Sequence, residues 1–350
     1  MLPSEEVNAC ISEFVRHVKQ GKITGSLHLA TKTVEMLKKI MTLEDWKTAK
    51  ELMDLIASTG KVLMTALPFQ STVGNMVRRV LKIVREEYVA ALKNEQEELD
   101  PQESLHKIVT SEGSLEDSYT EDVPSLKASV LEHIGEFEME LETSADNIAQ
   151  QACEHIHPNE IVMTIGMSSA VEAFMKNAAA KRKFEVIVAE CAPFFRGQKL
   201  ALSLAQSKIK TTVIADSAIF AMMSRVNKVI IGTHTVMANG GLRAVCGSHI
   251  VALAAKHYSV PVIVLAPMHK LSPQYLCSSD QDDFNCYVSP EKVLSHSDGD
   301  IVSKVHVYNP VFDYVPPELV TLFISNTGGH APSYVYRLLS ELYHPNDYEL

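Results

Sequence analysis

A chain of 350 residues, 46% hydrophobic and 21% charged, is too long for one small core and too apolar for global disorder, so two domains are expected. Its formal net charge of -11 argues against nucleic acid as a partner, because phosphate contacts need a surplus of Lys and Arg. Six cysteines with no CxxC pair fit a reduced, cytoplasmic protein rather than a disulfide scaffold or a zinc ribbon.

The N-terminal MLPSEEVNAC has no basic stretch followed by an apolar run, so no signal peptide is expected. Val7, Ile11, Phe14 and Val18 recur every three to four residues, which places them on one helix face. Ser26 can cap a second helix carrying Leu27, Ala30, Val34, Leu37 and Met41. Thr42 can cap a third, with Asp45 at the capping-box position and Leu43, Trp46, Met53 and Ile56 inward; Gly60 is a fitting stop. Ser71 or Thr72 opens a long fourth helix with Val73, Val77, Val80, Val84 and Ala91 on its apolar side. On that helix Arg78, Lys82 and Arg85 share a face, and the default reading is a solvated one.

Residues 94–124 are acidic, Ser-rich and poor in large apolar side chains, which predicts a flexible, exposed excursion. After Pro124 a fifth helix is predicted to about His155, with Val130, Ile134, Phe137 and Leu141 as its buried stripe. Ser129, Glu132, Glu136 and Glu140 fall on the opposite side. Past Pro158 the period changes. β-branched runs at 161–165, 184–189, 212–215, 229–231, 260–265 and 321–324 alternate with amphipathic segments such as 169–180 and 240–256. That alternation predicts a parallel sheet covered on both faces, with ligands outside the strand C-termini. The apolar run 260–266 is too short to cross a bilayer, so no membrane partner is expected. The segment 334–343, YVYRLLSELY, suggests surface that a lone chain leaves exposed. The domains expected are a helical one over 1–157 and an α/β one over 158–350.

Neither GxGxxG nor GxxxxGK[ST] is present. The nearest feature, Thr164 to Ser169 (TIGMSS), is a strand end feeding a helix, where a phosphate can bind; a plain turn with a serine cap is the simpler reading. Cys191 sits just past a strand, but no neighbouring cation lowers its pKa, so a buried inert thiol fits better than a nucleophile. His155 and His157 lack a third ligand and read as a helix C-terminal complement rather than a metal site, as does the run Lys181-Arg182-Lys183.

Four segments together carry a resemblance: TVGNMVRRVLKIVREEY at 72–88, FEVIVAECAPFFRG at 184–197, SRVNKVIIGTHTVMANGGLRAV at 224–245 and VFDYVPPELVTLFISNTGGHAPSYVYRLLSELYHP at 311–345. They resemble the initiation factor two B regulatory subunits, most of all the beta type, within a superfamily that includes methylthioribose-phosphate and ribose-bisphosphate isomerases. The resemblance implies an α/β fold class: an N-terminal helical domain followed by a Rossmann-like domain with a parallel sheet. In the enzymes a Cys, an Arg-Pro, a Gly-Ala-Asp-Arg motif and an Asn-Gly-Asp form the site. Here the corresponding positions hold Gly166, Ala192 before Pro193, His234 and Gly241, and a later Lys reads Val245. The resemblance therefore implies a vestigial pocket with no catalytic residue, no metal and no cofactor. A sugar-phosphate isomerase is the alternative.

The partners it implies are the alpha, gamma, delta and epsilon subunits of the exchange complex, with delta the direct pair. Initiation factor two would dock by its own alpha subunit, with Ser129, Glu132 and Glu136 as candidate contacts.

Overall fold

The computed structural model describes residues 4–97, 119–275 and 284–350, with the backbone alone for 93–97. Its contacts form two compact units: Met1–Glu142 with Ser340–Leu350, and Thr143–Leu339. The division falls fifteen residues before the expected 157/158 boundary, and the last eleven residues join the helical unit. Periodicity could not locate either point, because a helix runs through each.

The helical unit contains α1 (Glu5–Lys19), α2 (Ser26–Leu43), α3 (Ala49–Ala66), α4 (Ser71–Glu97) and most of α5 (Leu126–Gln150). Ser4 caps α1, and its side chain accepts from the Val7 amide at 3.3 Å. The third helix starts six residues beyond the expected Thr42. Thr48 is the cap and Glu51 completes the capping box, a pairing that Asp45 does not make. Leu43 is consequently exposed, and Trp46 lies between helices with its indole N–H donating to the Met41 carbonyl at 3.1 Å. Nor does Gly60 stop this helix. It lies buried inside α3, where an added Cβ would stand 2.6 Å from Val77 Cγ1 of α4. Its missing side chain sets how closely α3 and α4 pack.

The α4 stripe is as expected, with Val73, Val77, Val80 and Val84 fully buried. The cation row is not a solvated face. Arg78 is 3% exposed, and Arg78, Lys82 and Arg85 all bond to the C-terminal residues 340–348. Sequence periodicity misses this because their partners lie more than 250 residues away. Of the acidic segment, 98–118 lies outside the described residues. Its ends are built in: α4 runs to Glu97, Tyr119 packs against Tyr88 at 5.3 Å between ring centres with the rings tilted by 47°, and Asp122 bridges to Thr48.

In the second unit α6 (Ala152–His155) follows α5 after a one-residue break at Gln151. The strands are β1 (Ile161–Ile165), β2 (Glu185–Ala189), β3 (Lys210–Ile214), β4 (Lys228–Gly232), β5 (Thr235–Val236), β6 (Leu242–Val245), β7 (Val262–Leu265), β8 (Phe312–Val315), β9 (Leu322–Ser325) and β10 (Gly328–His330). The main sheet has the order β10-β9-β7-β4-β1-β2-β3, parallel except for β10. This is the doubly wound order, whose direction reverses at β1/β4 and leaves a crevice there. Helices α7 (Ser169–Ala179) and α8 (Arg196–Gln206) bury Phe174 and Leu200 in the core that includes Val162 and Val188. After β3 comes α9 (Ile219–Met223).

Segment 240–256 was expected to be amphipathic throughout, yet its first part is β6, in a small antiparallel sheet β5-β6-β8. Leu242 and Ala244 alternate inward, and Gly247, at φ +98°, ends the strand ahead of α10 (Ser248–His257). A four-residue α11 (Gly299–Val302) precedes β8. In segment 334–343 the apolar stripe is not left exposed. Val335, Leu338 and Leu339 of α12 (Val335–Leu342) are buried, as is Tyr343, and of the large apolar or aromatic side chains Tyr336 is the exposed one, at 70%.

Candidate functional site

Gly166 follows β1 and His234 follows β4, so the two flank the crevice at the point where strand order reverses. Gly166 has φ +66°, and an added Cβ would lie 3.4 Å from Cys191 Sγ and 3.6 Å from Val245 Cγ1. A thiol and an isopropyl group therefore crowd the end of β1. The serine turn after it takes the plain form, with the Val171 amide donating to Ser168 Oγ at 3.5 Å.

The loop after β2 turns sharply because Cys191 adopts φ +61°. That turn aims two successive amides at one carboxylate: Cys191 N–H donates to Asp216 Oδ1 at 2.9 Å, and Ala192 N–H to Asp216 Oδ2 at 2.6 Å. The Cys191 thiol is buried. Burial, then the Asp216 charge, pushes its pKa up to about 11, so it is no thiolate at neutral pH. Nearby Cys246 is pushed up to about 12 by burial and by Asp313. Asp313 in turn accepts from the amides of Gly247 and His249 at 2.7 and 3.2 Å and so caps α10.

The His234 backbone N–H donates to the Arg243 carbonyl at 2.9 Å. Its Nδ1 lies 3.0 Å from Thr235 Oγ1, and its ring centre lies 4.8 Å from that of Phe312. Burial, then Lys270 and Arg243, pushes its pKa down to about 3. The adjacent Lys270 donates from Nζ to the Thr233 carbonyl at 2.8 Å, and burial lowers its pKa to about 8. Gly241 donates its N–H to Asn239 Oδ1 at 2.8 Å, and an added Cβ would meet Tyr314 at 2.7 Å.

Gly166, Ala192 and His234 follow the C-terminal ends of β1, β2 and β4, whereas Gly241 lies in the β5–β6 turn of the small sheet; β6 carries Arg243 beside His234 and Val245 beside Gly166. A general acid or base works best with a pKa near the operating pH. Here two thiols sit far above it and one imidazole far below, while Lys270, at about 8, lies near it with its Nζ bonded to the Thr233 carbonyl. Asp216, Asp313 and Lys270 were not singled out from sequence. Asp216 had a local signal, opening a turn directly after β3, whereas Asp313 and Lys270 had none.

Outside the sheet unit, Glu132 and Glu136 are exposed on α5, opposite the buried Val130, Ile134, Phe137 and Leu141. Ser129 is half-buried, and its hydroxyl donates to the Ser125 carbonyl at 3.4 Å. The stripe's charge therefore rests on the glutamates. Among the described residues no helix is long and apolar enough to cross a membrane.

A half-buried histidine held neutral ties stability to pH. Between its folded value of about 3 and the ordinary 6.5, the unfolded chain binds the proton that the folded unit refuses. Stability is then present above about pH 6.5 and lost as pH falls, by about 2 kcal/mol at pH 5. His234→Phe should shrink the difference between pH 7.5 and pH 5 in chemical denaturation by about that amount. An unchanged pH dependence in the variant would mean that His234 takes its proton freely in the folded unit.

A helical unit joined to a doubly wound sheet, with its crevice at β1/β4, defines a Rossmann-type α/β protein with an α-helical partner unit. A family model described as the initiation factor 2 subunit family matches residues 22–332, and the chain belongs to that family. It is 44% identical to translation initiation factor eIF2B subunit beta of Dictyostelium discoideum, over 95% of each chain. The crystal structure of eIF2B beta from Chaetomium thermophilum superposes with a TM-score of 0.76 at 28% identity, covering 97% of this chain and 94% of that one. A chain of the tetrameric eIF2B-beta2-delta2 complex from C. thermophilum gives 0.71 at 27% identity, covering 96% and 95%. More distant is the ribose 1,5-bisphosphate isomerase of Pyrococcus furiosus, 25% identical over 95% of this chain and 93% of the enzyme.

Proposed function

We propose that this chain is a non-catalytic regulatory subunit, of the beta type, in the cytosolic guanine-nucleotide exchange complex for initiation factor two. The observation that carries this reading is the 44% identity to an eIF2B beta subunit over nearly the full length of both chains. It assembles with the alpha, gamma, delta and epsilon types, and the delta type is its direct pair, as in the beta2-delta2 complex of its structural relative. Phe220, Ile250 and Leu253, each half exposed or more, supply exposed apolar surface of the kind that subunits bury. Catalytic silence is supported by the pocket, where Gly166, Ala192, His234 and Gly241 stand at the isomerase positions and both thiols are held protonated.

The complex reads phosphorylation of initiation factor two on that factor's alpha subunit, which meets the helical unit through Glu132 and Glu136, with Ser129 beside them. A phosphoserine adds about −1.5 to −2 charges, enough to redirect docking on an acidic surface.

Mass photometry of the 38.7 kDa chain, alone and with a delta-type subunit, tests the reading. A hetero-oligomer should form with the delta type, and neither methylthioribose phosphate nor ribose bisphosphate should turn over. A stable homo-oligomer that ignores the delta type and isomerises either sugar phosphate, with activity lost in His234→Ala, would make the chain an enzyme instead.

A further inference from the structure

Arg78, Lys82 and Arg85 stand at i, i+4 and i+7 on α4, one face of one helix. Three cations on such a face ordinarily reach solvent or acidic side chains of neighbouring turns. Here they reach the end of the chain. Arg78 donates from Nε to the Asp347 carbonyl at 3.0 Å and from Nη2 to the Tyr348 carbonyl at 3.1 Å. Lys82 Nζ donates to the carbonyls of Ser340, at 3.3 Å, and Glu341. These belong to the last turn of α12, whose carbonyls lack intrahelical donors and favour a cation. Arg85 grips the Asp347 carboxylate with two nitrogens, Nε at 3.2 Å and Nη2 at 2.8 Å.

Two further observations show that this end is built in rather than draped. Asp347 is 4% exposed and Tyr343 1%, and Leu350 packs against the helical core. Asn346 and Asp347 also form one wall of a groove of about 230 Å³, whose other walls include Met53, Ala57 and Leu81 of α3 and α4. The groove stays open beside this end, which borders it and does not fill it.

We infer that residues 340–350 are a strap closing the helical unit, fastened by the Arg78–Lys82–Arg85 row. Its fastening combines burial of Tyr343 and packing of Leu350 with charge-assisted bonds centred on Asp347, and disturbing those charges loosens the part of the strap that they hold. Release removes the Asn346–Asp347 wall of the groove on α3 and α4. This inference is independent of the function proposed above.

The test uses the full chain as wild type, Arg85→Glu, Asp347→Arg and the double swap. Carboxypeptidase trimming and hydrogen exchange are the readouts. Each single variant should be trimmed about tenfold faster or more, the scale of a lost charge-assisted bond pair. Exchange should rise in 71–85 and 340–348 while β1 and β2 stay protected. The double swap should recover most of the wild-type protection. Arg85→Lys, which keeps the charge and loses the fork, should fall between wild type and Arg85→Glu, and it serves if the reversals do not fold. Wild-type trimming rates in the single variants, or equal loss in both units with no recovery in the swap, would overturn the strap.

Discussion

Gly197→Ala is expected to destabilise the sheet unit by about 3 kcal/mol or more, the upper range for overpacking a closed core. Gly197 is the second residue of α8 and is buried. A Cβ there would press into the Ala189 carbonyl oxygen nearer than real Cβ atoms approach, and would stand 2.9 Å from Glu190 Cα. Both obstacles are backbone at the end of β2, so no side chain can swing aside. Relief requires α8 to lift from the strand, which also breaks the bond from the Gly197 amide to the Glu190 carbonyl at 3.0 Å. The loop holding Cys191 and Ala192 lies between those points and moves with them. In thermal unfolding the sheet unit should melt about 6–12 °C lower. Gly135→Ala on α5 is the control: nothing lies within 4 Å of its added Cβ, and a helix-interior alanine should stabilise by about 0.5–1 kcal/mol. If Gly197→Ala melted with the wild type, close approach would not explain this glycine.

The double variant Glu132→Lys/Glu136→Lys should slow association of the reassembled complex with unphosphorylated initiation factor two. The expected reduction is about tenfold or more at low ionic strength. Both carboxylates are exposed one turn apart, and the hydrophobic side of α5 is buried in the helical core, so reversal changes the outward field without touching the packing. Folding should survive, since such surface changes shift stability by within about 0.5 kcal/mol. The salt dependence of association should flatten or change sign, because long-range attraction to a basic surface is what the variant removes. Equal association rates at two salt concentrations, with the complex intact, would leave this face as plain solvated surface.

Much of the fold was legible because local pattern and burial agree where an element is long and strongly periodic. Strand β1 matches the expected segment to the residue, and the other core strands of the sheet fall within two residues of theirs. The stripes of α1, α4 and α5 are buried as spaced, apart from the half-buried Val18. The short strands of the small sheet were not legible. Residues 242–245 alternate over too few positions to outweigh the helical pattern that follows. Local chemistry also misplaced the third helix. Thr42 and Thr48 offer the same hydroxyl, and only Thr48 has a glutamate three residues on that reaches back to its amide. The residues that surround Gly166 and His234, such as Val245 and Lys270, come from elsewhere in the chain.

What the sequence determined alone was the order of elements and the change from helical to alternating architecture near residue 158; that Gly166, Ala192, His234 and Gly241 stand at isomerase positions is an expectation drawn from resemblance. The first two rest on residue type and near-neighbour spacing, which the chain carries locally. Only tertiary structure decided the rest. Gly60 proved to be a packing site because Val77 of another helix lies against it. Arg78, Lys82 and Arg85 became fastenings because residues 340–348 return to them. His234 lost its basicity because burial, Lys270 and Arg243 surround it. Proximity between residues far apart in sequence arises only when the chain closes on itself, and it is proximity that converts a flexible-looking glycine, a solvated cation or an ordinary histidine into something else.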